Sequence, residues 1–171
     1  MNLKYAVFNT NLGWIAALTS PKGLRRATLK DTPEAALDEL GPEGVDAEED
    51  PAALEDIRVC YEAYLAGDER ALDDMPLDLD GATEFTKAAW EACRSIPPGE
   101  TRSYQWLAVQ AGKPRAPRAA GQAMAKNRLI LVIPCHRVIG SDGSLHGYGS
   151  GLDRKAHLLE LERDAIARKP G

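Results

Sequence analysis

The sequence predicts a mixed α/β fold in two parts, and three observations carry that prediction. Short apolar runs near the N-terminal end, Leu3 to Phe8, Trp14 to Thr19 and Leu24 to Leu29, are separated by turn residues, the pattern of an antiparallel meander. The second half carries helical spacing with capping residues, including two short helices joined by a turn containing Gly and Pro. Between them, Asp68 to Asp80 is acidic and turn-rich, so the expected domains are an N-terminal one over 1–80 and a C-terminal one over 81–171.

Each element follows from local chemistry. Asn9 to Gly13 and Pro21-Lys22-Gly23 supply the turns of the meander. Gly41 to Asp50 has Gly and Pro but no apolar period, and is expected to be a loop. Asp50 offers an N-cap with Pro51 at the first helical position, and Leu54, Ile57, Tyr61 and Leu65 follow at helical spacing until Gly67. Leu77 to Leu79 suits a short strand. Thr83 caps a helix running to about Ser95, which Ile96-Pro97-Pro98-Gly99 breaks. Ser103 caps the next over Tyr104 to Ala111; Gly112 ends it, Pro114 turns the chain, and another helix runs from about Pro117 to Lys126, making a helix-turn-helix. Ala119, Ala120, Gly121, Ala123 and Ala125 keep this last helix thin enough to approach either a crowded core or a nucleic-acid groove. Leu129 to Ile133 suits a buried strand or extended segment, and the five glycines from Gly140 to Gly151 suit a tight loop. The final helix spans Leu152 to about Ala167, with Leu158, Leu159 and Leu161 as its buried face.

Composition narrows the classes of function. A hydrophobic fraction of 44% with 27% charged residues is that of an ordinary globular protein. No apolar run approaches the roughly 20 residues that cross a bilayer, and Met1 to Phe8 lacks the apolar core of a secretory signal, so no membrane partner and a cytoplasmic location are expected. The net charge of -5 argues against a polyanionic partner for the chain as a whole, but it is unevenly spread. From Gly81 onward there are 14 Lys and Arg against 8 acids, or +6, while the preceding 80 residues hold 7 against 18, or -11. Such a split points to one half that binds a polyanion.

Cys60, Cys93 and Cys135 lie far apart with no CxxC pair, which suggests neither a disulfide framework nor a zinc site. Cys60 and Cys93 fall among apolar residues of amphipathic helices and read as core. Cys135 differs, because His136 and Arg137 follow it directly, and an imidazole and a guanidinium are groups that favour a thiolate. It reads as a nucleophile.

Pro134-Cys135-His136-Arg137-Val138 resembles the active-site signature of the O6-alkylguanine-DNA alkyltransferases, or methylated-DNA:protein-cysteine methyltransferases. The register of the resemblance runs from Phe85-Thr86 and Trp90 through Ile96-Pro97, Gly99, Ser103-Tyr104, Arg118-Ala119 and Asn127 to Gly147-Tyr148, Lys155, Leu158-Leu159 and Glu162. That is about half the chain. Residues 1–80 match in layout alone. The resemblance implies an N-terminal ribonuclease-H-like α/β domain and a C-terminal winged-helix-like helix-turn-helix domain. It also implies direct, irreversible, stoichiometric transfer of the alkyl group from O6-alkylguanine, and from O4-alkylthymine, to Cys135 after base flipping. The partner so implied is double-stranded DNA bound through its minor groove by a monomer, and no cofactor is needed.

By the same resemblance, Cys135 is the acceptor, His136 is a base acting through a bridging water, Glu162 orients the imidazole, and Asn127 braces the acceptor loop. Arg118 enters the stack as the base leaves, and Tyr104 crowds the adjacent phosphate, while Ala119 and Ala123 fit the groove and Lys126 and Arg128 lie at the DNA. Met124 and Tyr148 line the guanine pocket, the carbonyls of Cys135 and Val138 accept from the exocyclic amine, and the Tyr104 hydroxyl and Gly149 N–H meet N3 and O6.

Three positions depart from the family pattern. Arg128 stands where proline is usual, Pro117 where a small residue is common, and Ser150, which narrows the pocket, where glycine is usual. The zinc site of some relatives is not expected, because residues 1–80 have only Cys60 and no histidine. Two rivals compete with this reading. A lesion-recognition protein without chemistry lacks the acceptor cysteine, and a cysteine hydrolase needs an oxyanion hole and turns over.

Overall fold

The computed structural model describes residues 2–140, 142 and 151–169. The chain is mixed α/β, and its contacts divide it into two units: Met1–Asp80 with Arg128–Ile130, and Gly81–Asn127 with Leu131–Gly171.

In the first unit, β1 (Lys4–Thr10), β2 (Gly13–Ser20) and β3 (Gly23–Lys30) form the antiparallel meander, with Tyr5 opposite Leu18 and Ala17 opposite Ala27. Ile15, Ala16, Ala17 and Leu18 are all fully buried, so β2 is covered on both faces. On one face Ala16 and Leu18 pack with Ala36 and Leu40. On the other, the Phe8 ring lies 6.1 Å from that of Tyr61.

Several elements of this unit differ from expectation. Thr32 caps a short α1 (Pro33–Asp38) by accepting from the Ala35 N–H. The expected loop from Gly41 to Asp50 holds α2 (Pro42–Asp46) and β4 (Glu48–Glu49), which pairs in parallel with β1. These pieces are too short to show a period; β4 exists through Glu48 N–H to the Leu3 carbonyl, Asp50 N–H to the Tyr5 carbonyl, and the Lys4–Asp50 ion pair at 3.0 Å. Asp50 caps as expected, but a 3-10 turn over Pro51–Leu54 precedes α3 (Glu55–Leu65).

The free edge of β3 is closed by single bridges to Leu77 and Leu129. Leu129 to Ile133 therefore does not form the extended segment expected. Leu131 turns it with φ 67°, a left-handed conformation that bulky residues adopt only when held there. The preceding tripeptide is fastened to the first unit by the Ala27 N–H to the Arg128 carbonyl, the Ile130 N–H to the Ala27 carbonyl, and the Tyr61 hydroxyl donating to the Ile130 carbonyl at 2.7 Å.

In the second unit, Thr83 caps α4 (Glu84–Arg94) and Ser103 caps α5 (Tyr104–Gln110). Gly112, at φ 88°, ends α5, and the Gln105 side-chain amide donates to the Pro114 carbonyl at 2.7 Å, fixing the turn into α6 (Pro117–Ala125). The Trp90 indole donates to the Ala123 carbonyl at 2.9 Å, so α4 grips the thin helix. A 3-10 turn over Cys135–Arg137 leads into β6 (Val138–Ile139), which pairs in parallel with β5 (Arg102–Ser103). The chain then runs to α7 (Leu152–Ala167). Its buried face holds Lys155 and Glu162 with Leu158, Leu159 and Ala165, whereas Leu161 is only half-buried.

Candidate active site

Cys135 opens the 3-10 turn and is half-buried. Its backbone is set by its N–H to the Ile133 carbonyl and by the Val138 N–H, which donates to the Cys135 carbonyl. Asn127, just after α6, donates through Nδ2 to the Ile133 carbonyl at 2.8 Å and to Cys135 Sγ at 3.2 Å. The amide therefore fixes the loop and points a donor at the sulfur, which stabilises a thiolate more than a thiol.

The next two residues turn into the protein. His136 and Glu162 are both 0% exposed, and His136 Nε2 lies 2.8 Å from Glu162 Oε2. Arg137 donates from Nε to Glu162 Oε1 at 2.9 Å, from Nη2 to Oε2 at 2.7 Å, and from Nη1 to the Ile96 carbonyl at 2.7 Å. Burial pushes the Glu162 carboxyl up, but the hydrogen bonds and charges of His136 and Arg137 outweigh it and hold the group well below the usual carboxylate range. An ionised carboxylate accepts only, so His136 carries its proton on Nε2. Nδ1 is then the acceptor, and it is buried with no hydrogen-bond partner among the described residues. Burial lowers the His136 pKa, opposed by Glu162 and assisted by the charges of Arg137 and Lys155.

Lys155 had no expected role, yet it is 0% exposed and donates from Nζ to the Val138 carbonyl at 2.9 Å. Its pKa is lowered by burial, against the charges of Cys135 and Cys93. The partnership of Arg137 with Glu162 was equally hidden in the sequence. An Arg beside a Cys suggests a thiolate partner; here the guanidinium serves the carboxylate instead.

Other expected site residues divide by exposure. The Tyr104 ring is half-buried against Gly121, whose Cβ position lies 3.8 Å from Tyr104 Cδ1. Burial raises its pKa, with the charges of Cys135 and Cys93 adding to it. Arg118 and Lys126 are exposed and make no ion pair among the described residues, and Ala119 is half-buried. Ala123, expected at a groove, is 2% exposed, and its carbonyl accepts from the Trp90 indole. Arg128, expected at DNA, donates from Nη2 to the Asp78 and Asp80 carbonyls of the first unit, both at 2.9 Å. Met124 and Val138 are buried. Tyr148, Gly149 and Ser150 lie outside the described residues. Cys93 is buried as expected, but Cys60 is only half-buried. A groove of about 300 Å³ in the first unit, lined by Asn9, Thr10, Asn11, Glu62, Leu65 and Ala66, holds none of these groups. No cluster that could hold a metal occurs among the described residues, and no described helix is long and apolar enough to cross a membrane.

A helix-turn-helix joined to a braced thiol, with a histidine fixed by a buried carboxylate, defines a protein of thiol chemistry built on a nucleic-acid-binding type of motif. Residues 84–164 match the 6-O-methylguanine DNA methyltransferase, DNA binding domain family. The methylated-DNA–protein-cysteine methyltransferase of Methanosarcina barkeri is 52% identical over 105 residues, 61% of this chain and 65% of that protein. The bifunctional transcriptional activator/DNA repair enzyme Ada of Escherichia coli is 39% identical over 163 residues, 95% of this chain and 46% of that protein. The chain thus spans less than two thirds of the length of either relative. The crystal structure of Mycobacterium tuberculosis OGT in complex with DNA superposes with a TM-score of 0.81 at 36% identity, covering 95% of this chain and 94% of that one. The chain belongs to the O6-methylguanine-DNA methyltransferase family.

Proposed function

We propose that the protein repairs DNA directly, by moving the alkyl group of O6-alkylguanine irreversibly onto Cys135. The observation that carries this reading is the Asn127 amide donating to Cys135 Sγ, next in sequence to a histidine whose Nδ1, an acceptor, has no hydrogen-bond partner among the described residues. The thiol proton passes to His136 Nδ1 through a bridging water, the sulfur pair forms the S–C bond, and the C–O6 bond breaks with its electrons left on guanine, which takes up one proton. A thioether is a poor leaving group, so each molecule reacts once. No cofactor enters this scheme.

The first unit reads as the ribonuclease-H-like domain and the second as the winged-helix-like one. The protein acts as a cytoplasmic monomer on the minor groove of duplex DNA and extrudes the damaged nucleotide before transfer, accepting O4-alkylthymine as well. Exposed Arg118 and Lys126 and half-buried Ala119 support this, with Arg118 filling the vacated stack and Tyr104 pressing on the neighbouring phosphate. Met124, Tyr148, Gly149 and Ser150 are assigned to the pocket, with the carbonyls of Cys135 and Val138 as acceptors. The Cys135 carbonyl accepts from the Val138 N–H and the Val138 carbonyl from Lys155 Nζ, and a carbonyl oxygen has two lone pairs with which to accept.

Intact-mass analysis after incubation with duplex DNA bearing O6-methylguanine tests the reading. One methyl group should appear on the wild type, localised to Cys135, and none on Cys135→Ser. Repeated turnover of an ester with no mass gain would point to a hydrolase instead.

A further inference from the structure

We propose that Arg137 is a positioning residue for alkyl transfer: by neutralising Glu162 inside the buried cluster, it keeps His136 uncharged and ready to accept the thiol proton. This rests on the reading of Cys135 as the alkyl acceptor.

The argument starts from the charges around one imidazole. From α7, Glu162 meets His136 Nε2 at 2.8 Å and Lys155 adds a positive charge. From its own turn come Arg137 and the Cys135 thiol, while Cys93 of α4 and Tyr104 of α5 are the other titratable groups that sense Cys135. Glu162 is the one acid of this set. A buried carboxylate beside an imidazole draws a proton onto the ring, because an ion pair costs less than a lone buried charge. Arg137 removes that pull, since Nε and Nη2 span both oxygens of Glu162 and leave His136 facing a neutral pair. The third bond, from Nη1 to the Ile96 carbonyl, and the Gly99 N–H, 3.5 Å from Glu162 Oε1, hold guanidinium and carboxylate against the turn after α4. The pair therefore does two things at once. It fixes the proton on Nε2, and it leaves Nδ1 as an acceptor with no hydrogen-bond partner among the described residues.

Without the guanidinium, Glu162 and His136 become an ion pair of their own. The imidazole then already holds the proton it should receive from the thiol, and transfer waits for a higher pH.

The test uses the full chain with Arg137→Met, Arg137→Gln and Arg137→Lys. Single-turnover reaction with O6-benzylguanine is followed between about pH 5 and pH 9, the range in which a histidine titrates. The acid limb should move up by about one unit in the Met and Gln variants, a rate about tenfold lower on that limb, and converge toward the wild type at high pH. Arg137→Lys, which keeps the charge, should return the limb close to its wild-type position. Nitrogen NMR of the His136 ring, which needs no activity, should show an imidazolium near neutral pH in Arg137→Gln and a neutral Nε2–H tautomer in the wild type. A limb that stays in place while rates fall uniformly, or a ring that stays neutral in Arg137→Gln, would overturn the proposal. Should the Met variant fail to fold, the Gln variant, which keeps donors toward Glu162 and Ile96, decides through the ring spectrum. Absence of any alkyl adduct on the wild type would refute the transferase reading instead, and the ring spectra would still judge Arg137.

Discussion

Replacing Asn127 by Ala removes two hydrogen bonds with different consequences. The bond to the Ile133 carbonyl, 2.8 Å, is structural, and that carbonyl keeps the Cys135 N–H, so its loss costs about 1 kcal/mol. The bond to Cys135 Sγ, 3.2 Å, is worth more to a thiolate than to a thiol. Taking about 1 kcal/mol for that difference, the transfer rate should fall about fivefold beyond any effect of lost folded protein. Asn127→Asp is the sharper variant, because it keeps the shape, loses both donors and sets a carboxylate against the sulfur; it should react more slowly than the Ala variant. Single-turnover rates with O6-benzylguanine, beside urea denaturation of the same samples, separate the two contributions. Equal rates in the wild type and both variants, at reduced stability, would refute the argument that this amide supports the thiolate.

Arg118→Ala should slow repair of duplex DNA by about tenfold or more while leaving reaction with free O6-benzylguanine nearly unchanged, since only the duplex requires extrusion of a base; equal loss on both substrates would assign Arg118 to folding or chemistry. Tyr61→Phe leaves the Ile130 carbonyl without its 2.7 Å donor and should lower stability by about 1 kcal/mol, seen as a drop in Tm of about 2–4 °C. His136 and Glu162 both have folded pKa values below their unfolded ones, so each binds fewer protons when folded. Their contributions are present above about pH 6.5 and pH 4.3 respectively and are lost as pH falls below those values, so Glu162→Gln should flatten the lower part of the acid limb of stability measured by denaturant titration. Methylation of Cys135 weakens the Asn127 contact and adds a carbon to a packed turn, at a cost of about 1–3 kcal/mol, so the methylated protein should melt below the free one and the benzylated protein lower still; an unchanged midpoint in both would mean the site has spare room.

What the sequence made legible was decided by neighbours along the chain. Thr83 and Ser103 announce their helices because a cap needs only the next three residues, and the meander follows from alternation and turn chemistry. Thr32-Pro33 carries the same signal for α1, but the helix it starts has only 6 residues, too few to show an apolar period. β4 and the tripeptide 128–130 could not be read locally, since both exist by pairing with distant strands. Three side chains have surroundings that no local reading supplies. Ala123 is buried and its carbonyl accepts from Trp90, 33 residues earlier, Arg128 donates to two carbonyls about 50 residues away, and Arg137 finds its carboxylate 25 residues later.

The cluster of Glu162, Arg137, Lys155 and His136 is hard to explain as a source of stability. A buried ion pair regains in mutual attraction little more than it loses in hydration, and well-packed apolar residues of similar volume often serve a core as well or better. All four side chains are nevertheless buried around the turn that presents Cys135, with His136 and Arg137 donating to Glu162, and Lys155 donating to the carbonyl of Val138, where that turn ends. In the transfer reaction proposed above, His136 must be uncharged with its proton on Nε2 before the thiol proton can move, so its charge state has to be set by the fold. Burial favours that: for groups cut off from solvent, the position of each proton is set by the hydrogen-bond partners and charges that the fold supplies.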